Sequence, residues 1–500
     1  MLIHPLDDAN QRLLDQVRPA AWPVPERTQY DLIVIGGGTA GLVTAVGAAG
    51  LGAHVALIER GLLGGDCLNV GCVPSKAVLR SARAVSELHG AAALGIRAEA
   101  RRPDFGAIMA RMRERRAGIA RHDSAARLAA AGVDVFFGTA AFADRRHIVV
   151  DGTRLRFAHA VIATGGRPTA PPVPGLTESS YLTNENFFWL TDLPERLLVI
   201  GAGPIGCEMA QAFALFGSQV TVVDVAQRVL PREDPDASAV LRRRMRDDGV
   251  HFELGVRLTE VRRVARGTGI AWERDGTRSE VVVDAILVAA GRAPNVEELN
   301  LEAAGVRAGK EGIEVDDRMR TTNPRVFAAG DVASPFKFTH AADATARLVI
   351  QNALFFGRRR ASSLVIPWCT YTIPEVAHVG ISADQARNAA GRVATITIPF
   401  SDVDRAVVDE ETDGLVRVHH ERGAIRGCTI VGPHAGDLIG HVAYVMQTRG
   451  SLNDLSAAVF PYPTYSEALR KAGDAWRRSR LTPTVRRIFA LHFRLRRWRS

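Results

Sequence analysis

The segment GGDCLNVGCVPSK, residues 64–76, holds the side chains best suited to chemistry. Cys67 and Cys72 stand five positions apart at what reads as the start of a helix, and flanking glycines permit close approach of a ring system. A helix N-terminus stabilises a thiolate. Paired cysteines in a cytosolic chain with only five point to a redox or metal site before a structural bridge. Zinc would want four ligands, and no second Cys/His pair of suitable spacing is evident. The spacing favours a redox-active dithiol, with two inert buried cysteines as the bland alternative. Cys207, Cys369 and Cys428 are isolated and read as packed small residues.

Two further motifs suit nucleotides. Gly36, Gly38 and Gly41 form GxGxxG between a short buried strand, Asp31 to Ile35, and an Ala-rich helix. The first glycine allows the tight turn, the second admits a pyrophosphate, and the third lets helix and strand pack closely. The helix N-terminus offers N–H groups to the phosphates. Glu59 ends the next strand, placed for the hydroxyls of an adenosine ribose. A merely tight turn is the weaker alternative. The same grammar returns with Gly201, Gly203 and Gly206, and Asp224 ends its second strand. An acid there favours a free ribose 2′-OH and repels a 2′-phosphate, so NADH is favoured over NADPH. Arg228 nearby could reach a phosphate, but reads better as a solvated loop residue.

Positioning these motifs takes several domains. At about 100–200 residues each, 500 residues make about three. A composition 47% hydrophobic and 23% charged excludes disorder and collagen-like structure. No apolar run reaches the roughly 18–20 residues of a membrane span. The N-terminus lacks an apolar stretch and does not read as a secretory signal, so the cytoplasm is the expected compartment. The pattern changes from about Ile366, where VATITIPF and GLVRVHH read as strands and DLIGHVAYVMQTRG as a helix, an α+β domain of its own. The net charge of +9 is a property of the tail, because Arg470 to Ser500 carries eleven Lys or Arg against Asp474 alone. From Pro483 the tail can form an amphipathic helix with basic and apolar faces. Such a helix suits an anionic bilayer surface, peripherally on the inner face of the membrane. Packing on the protein body is the alternative, and nucleic acid a less favoured partner.

With the dithiol segment some 25 residues after the first GxGxxG, the chain resembles the class I pyridine nucleotide-disulfide oxidoreductases. This is the family of dihydrolipoamide dehydrogenase, glutathione reductase and mercuric reductase. The resemblance runs from about 30 to 470. It includes the ATG strand end at Thr164–Gly165, AAGD at Ala328–Asp331, and IPWCTYTIPEVAHVG at 366–380. It implies an α/β fold, with two Rossmann-like dinucleotide-binding domains (FAD and NAD) and a C-terminal α+β dimerisation domain. The parts would be an N-terminal extension (1–29), an FAD domain in two pieces (30–174 and 293–360), a nucleotide domain (175–292), a dimerisation domain (361–470) and an Arg-rich tail (471–500).

Site roles follow from the same resemblance. FAD would lie against Gly36, Gly38, Thr39, Ala40, Gly41, Glu59, Gly65, Lys76, Thr164, Gly165 and Gly330, with Asp331 on its ribityl chain. The helix after Phe338, Thr339 and His340 would point its N-terminus at the flavin. The nicotinamide nucleotide would use Gly201, Gly203, Pro204, Ile205, Gly206, Asp224 and Gly291. Cys72 would be the sulfur beside the flavin and Cys67 the outer sulfur that meets the acceptor. Lys76 and Glu208 match the family's ion pair; a helix-surface acid is the bland reading of Glu208.

The chain departs from the family at its catalytic base. Disulfide-reducing members carry a His-Pro pair followed closely by Glu, whose His serves the partner subunit of a homodimer. Here the stretch is FPYPTYSE, so Glu467 remains while Tyr462 stands where His belongs. A phenol with pKa about 10 is a poor base at neutral pH. Phe-Pro-Tyr-x-Thr is similar to mercuric reductase, where a tyrosine lines the metal-reducing site. Soft ions prefer thiolates, so Cys67 and Cys72 would hold a substrate ion transiently. The C-terminal cysteine pair of mercuric reductase is missing from LRRWRS, and there is no room for an N-terminal domain with its own CxxC. The expected acceptor is thus a thiol-bound metal ion, with dihydrolipoamide dehydrogenase or another disulfide reductase as the alternative enzyme. A non-catalytic flavin redox sensor or membrane-associated scaffold is the reading from a different class.

Overall fold

The computed structural model describes residues 3–97, 102–389 and 391–499. It divides into two compact units. The first runs to Gln227 and resumes over Asp248–Leu364. The second joins Arg228–Asp247 to the chain from Val365 onward.

In the first unit, β1 (Gln29–Ile35), β2 (Val55–Glu59) and β3 (Val133–Phe137) lie parallel. On the other side of β1 comes β6 (Thr153–Ile162), also parallel, followed by the antiparallel ribbons β5 (His147–Val150) and β4 (Ala140–Asp144). Strand Val326–Ala328 pairs with β6 and closes the second piece of the domain onto the first. Leu32, Ile33 and Val34 have no exposure, the pattern of a strand covered on both faces. Helix α2 (Thr39–Gly50) covers this sheet beside Thr339–Leu354. A second parallel sheet has Arg196–Ile200 between Gln219–Asp224 and Ala285–Val288, with Val250–Leu254 at its edge. Both βαβ units expected from the glycine motifs are therefore present.

The described part of the N-terminal extension, from residue 3, is ordered. Helix α1 (Asp8–Val17) is capped by Asp7 and buries Ala9, Leu13 and Val17 in the core of the first unit. Trp22 donates from its indole to Val135 O at 3.1 Å.

The second unit is a five-stranded antiparallel sheet in the order 368–370, 375–380, 424–432, 415–421, 394–399. Its core gathers Phe400, Val416, Val418, Ile430 and Leu438. Segment 228–247 packs with this unit. Arg417 there holds Asp234 at 3.2 Å and pairs with Asp236, and the Trp368 indole donates to Glu233 at 2.6 Å. The tail forms a helix, Pro483–Arg499, as expected. Its apolar residues Ile488, Phe489, Leu491, Phe493, Leu495 and Trp498 are all exposed in the single chain. No helix among the described residues is long and apolar enough to cross a membrane.

Candidate active site

The dithiol straddles two helices rather than one. Cys67 lies in the short α3 (Gly65–Asn69), whereas Cys72 is the first residue of α4 (Cys72–Gly90). Between them the chain doubles back at Gly71, where a Cβ would sit 2.7 Å from Asp66 O. Only glycine permits that reversal, and the reversal sets Cys67 beside Cys72. Both are free thiols; Cys72 is exposed and Cys67 half-buried.

The two sulfurs are electrostatically unlike. Cys72 is pushed down to about 6, first by the hydrogen bond from Cys67, then by Thr339 and the charge of Lys76. Thr339 Oγ1 lies 3.3 Å from its sulfur. Cys67 moves the other way, raised by its bond to Cys72 and by burial. Thr339 and Lys76 thus favour the charged form at Cys72 over Cys67. Thr339 opens the 16-residue helix Thr339–Leu354, so two helix N-termini meet at Cys72. Each contributes about 0.3–1 kcal/mol, less than one pKa unit, so the hydrogen bonds and Lys76 carry the larger share.

Lys76 is one helical turn past Cys72, on the same face. Its Nζ is 2.8 Å from Glu208 Oε2. Glu208, on helix Pro204–Phe216, is buried and not a surface acid.

The first glycine turn is bare backbone by necessity. Gly36 has φ +106°, and a Cβ on Gly41 would lie 1.8 Å from Gly36 O. Gly38 faces Gly65 so closely that a Cβ on Gly65 would be 2.7 Å from Gly38 Cα. Thr39 and Ala40 open α2, and Gly330 rests on Ala40. Glu59 accepts from Gly37 N at 2.6 Å and Gly61 N at 2.5 Å, while burial pushes its carboxyl up. Thr164 donates to Asn295 O at 2.6 Å, and Gly165 has φ +67°. Phe338 and His340 stack with ring centroids 5.5 Å apart at the start of the Thr339 helix.

The second turn repeats this plan. A Cβ on Gly206 would lie 1.9 Å from Gly201 O, while the space at Gly203 is open. Pro204 and Ile205 open the helix, with Ile205 exposed. Asp224 accepts from Ala202 N at 2.6 Å and Ala226 N at 2.8 Å. Gly291 O accepts from Thr169 N at 3.1 Å. Arg228 turns its guanidinium to Pro231 O at 2.9 Å, so it is half-buried rather than solvated.

Tyr462 and Glu467 belong to the second unit. Tyr462 is exposed and donates its hydroxyl to Asp404 at 2.9 Å, which raises its pKa. Glu467 is buried; Oε1 meets Arg470 at 3.2 Å and Lys471 at 3.3 Å. Cys207 and Cys428 are buried and Cys369 half-buried. Among the described residues no group of three or more His, Cys, Asp or Glu could hold a metal ion.

Sequence reasoning missed Arg292. It pairs with Asp66, the neighbour of Cys67, and its Nε is 3.8 Å from Asp331. Burial raises the Asp331 carboxyl. The run ILVAAGRAPN marks a strand end, and the arginine within it was the available signal.

The chain belongs to the pyridine nucleotide-disulphide oxidoreductase family: that family's model matches residues 30–346, and the family's dimerisation domain matches 366–473. It is 37% identical over 462 residues to mercuric reductase of Streptomyces lividans, covering 90% of this chain and 96% of that one. To dihydrolipoyl dehydrogenase of Thermus scotoductus it is 34% identical over 456 residues, covering 89% and 97%. The HOCl-induced flavoprotein disulfide reductase RclA of Escherichia coli is a structural neighbour, with TM-score 0.80 and 28% identity, covering 89% and 99%. A Cu(II) complex of RclA matches with TM-score 0.79 and 28% identity, covering 88% and 98%.

The family is FAD-dependent and uses a pyridine nucleotide, and its dimerisation domain supports a homodimer. The residues present fit both groups. The side-chain-free strip at Gly38 and Gly65 admits a pyrophosphate, and Arg292 has a buried Nε with no hydrogen-bond partner beside Asp331. The open space at Gly203 suits the second nucleotide.

Proposed function

We propose that this protein takes electrons from NADH and delivers them, through FAD and the Cys67–Cys72 pair, to a thiol-bound soft metal ion. Bound FAD would supply the two-electron relay between nicotinamide and dithiol. Cys72 holds its charge as a thiolate, Cys67 meets the acceptor, and Lys76 with Glu208 fixes a cation beside the sulfur. Asp224, by repelling a 2′-phosphate, favours NADH over NADPH.

The observation that carries the acceptor is Tyr462. Its phenol is tied to Asp404 with a raised pKa, so it cannot take protons at neutral pH. Disulfide exchange needs such a base; a metal ion on thiolates does not. The mercuric reductase relatives and the Cu(II) complex of RclA support this reading. The dihydrolipoyl dehydrogenase relatives favour lipoamide as the second reading. NADH oxidation measured with Hg(II) or Cu(II) in excess thiol, and separately with lipoamide, separates them. The metal assay is expected to dominate. Tyr462→His should raise lipoamide reduction, because a positioned base contributes about 10²–10⁴-fold. Lipoamide turnover in the wild type that equals or exceeds the metal rate hands the assignment to the second reading.

The tail completes the proposal as a peripheral anchor on an anionic inner membrane face. Six arginines and no acid share Pro483–Arg499 with exposed apolar residues. Near such a surface each arginine is worth about 1 kcal/mol. Co-sedimentation with phosphatidylserine vesicles should occur, fall steeply in high salt, and vanish when the chain stops before Pro483. Equal pelleting with and without the tail removes the anchor, and retention by nucleic acid alone transfers the helix to that partner.

A further inference from the structure

Arg116 is the bulkiest side chain with essentially no exposure among the described residues. It lies on α5 (Phe105–Ala120), and no carboxylate touches it. Nη1 donates to Asn69 O at 2.6 Å, and Nη2 donates to Asn10 Oδ1 at 2.6 Å. Burial and the nearby Arg113 pull its pKa down to about 10. The one close acid, Asp7, is taken by Arg113 Nε at 2.5 Å.

Both ends of this bridge are informative. Asn69 stands between Cys67 and Cys72 and closes α3, where a terminal carbonyl has no intrahelical partner. Its side chain is tied as well, donating to Leu63 O at 3.0 Å and Gly65 O at 2.9 Å. Asn10 belongs to α1, outside the residues matched by the family. Its amide donates to Pro5 O at 2.6 Å, and its backbone N–H to Asp7 at 2.9 Å. The carboxamide oxygen is thereby aimed at Arg116. A helix foreign to the family core thus reaches the redox loop through one buried guanidinium.

We propose that Asn10 and Arg116 are positioning residues, through which the N-terminal helix fixes the Cys67–Cys72 loop so that the two sulfurs stay within reach of each other. This rests on Cys67 and Cys72 being the redox pair. A disulfide closes more readily when its loop is held in one conformation, because one sulfur then has a high effective concentration at the other. The relevant exchange is disulfide plus two glutathione thiols giving dithiol plus glutathione disulfide. Loosening the loop moves this equilibrium toward the dithiol.

The test uses the FAD-loaded dimer in anaerobic glutathione buffers, with Cys67 and Cys72 alkylated and counted by mass. Asn10→Ala leaves α1 seated by Leu13 and Val17 while removing the Arg116 acceptor. It should shift the equilibrium toward dithiol by about tenfold, or ~30 mV. Arg116→Lys keeps the charge but loses the two-pronged geometry, and should shift it likewise. Asn10→Asp offers a carboxylate to the same guanidinium and should restore the wild-type value. A wild-type equilibrium in folded Asn10→Ala overturns the proposal and leaves the cluster as an anchor for α1. A wild type that never forms the disulfide overturns the redox-pair reading itself. Arg116→Met is the harsher variant; if it does not fold, Asn10→Ala decides alone.

Discussion

Cys67→Ala is expected to lower acceptor turnover by about a thousandfold or more, while reduction of bound flavin by NADH stays within about threefold of wild type. The asymmetry follows from the pair. Cys67 is the less charged partner, and the acceptor must meet a sulfur. Cys72 already holds its charge from Thr339 and Lys76 as well as from Cys67. The same variant reports on that charge. A lowered pKa keeps the thiolate present at every pH above it and loses it only as pH falls through that value. In the reduced wild type the Cys72 thiolate should therefore persist down to about pH 6. Loss of the hydrogen bond from Cys67, the largest lowering influence, moves the midpoint up toward the ordinary value near about 8.5. The rate of Cys72 alkylation against pH reads this directly. An unmoved midpoint means that Cys67 is not the donor, and turnover that survives the substitution would falsify the route through this pair.

How much of this was legible in the residues depends on what forces each one. Glycine turns are readable because the backbone leaves no choice: Gly36 needs φ +106°, and Gly41 cannot carry a Cβ. Two such turns, each between a largely buried strand and a helix, define the two βαβ units. The dithiol is readable from its spacing, but the break into α3 and α4 is not. That break depends on Gly71 folding back on Asp66, a contact between neighbours rather than a pattern. Arg116 is illegible for a different reason. RMRERRAGIAR reads as a solvated face, because burial of one arginine in such a run depends on a partner 106 positions away. The placement of 228–247 is hidden likewise. The second unit claims it through ion pairs from Arg417, some 180 residues on, and nothing local announces them.

The departures from the family have one physical thread. Where relatives that exchange disulfides need a base, this chain has a phenol bound to Asp404. The parts that handle charge rather than protons are intact: the thiolate at Cys72, the buried Glu208 beneath Lys76, and the acid at the end of each second strand. On the proposed function, these parts are the ones that accept hydride and hold a thiolate. Under the same reading, a phenol held by Asp404 in place of a base disfavours disulfide acceptors relative to a thiol-bound metal ion.

Entry of electrons gives the second large effect. Gly206→Val should abolish reduction of the flavin by NADH, by about a thousandfold or more, in protein that still purifies with FAD. At this position a Cβ alone would stand 1.9 Å from Gly201 O and 3.4 Å from Val199 Cγ1. The first of these is backbone and cannot swing aside as a side chain would. The helix Pro204–Phe216 must then lift from its strand, taking with it the N-terminal N–H groups that would face the pyrophosphate. The first glycine turn lies on another sheet and keeps its own geometry, so flavin binding is spared. Stopped-flow absorbance at the flavin band measures the loss, and dithionite reduction of the same sample shows that the flavin itself remains competent. If NADH reduces this variant at the wild-type rate, electrons do not enter through the second turn. If the wild-type flavin itself stays oxidised under NADH, the protein is a flavin-bearing sensor and not an enzyme.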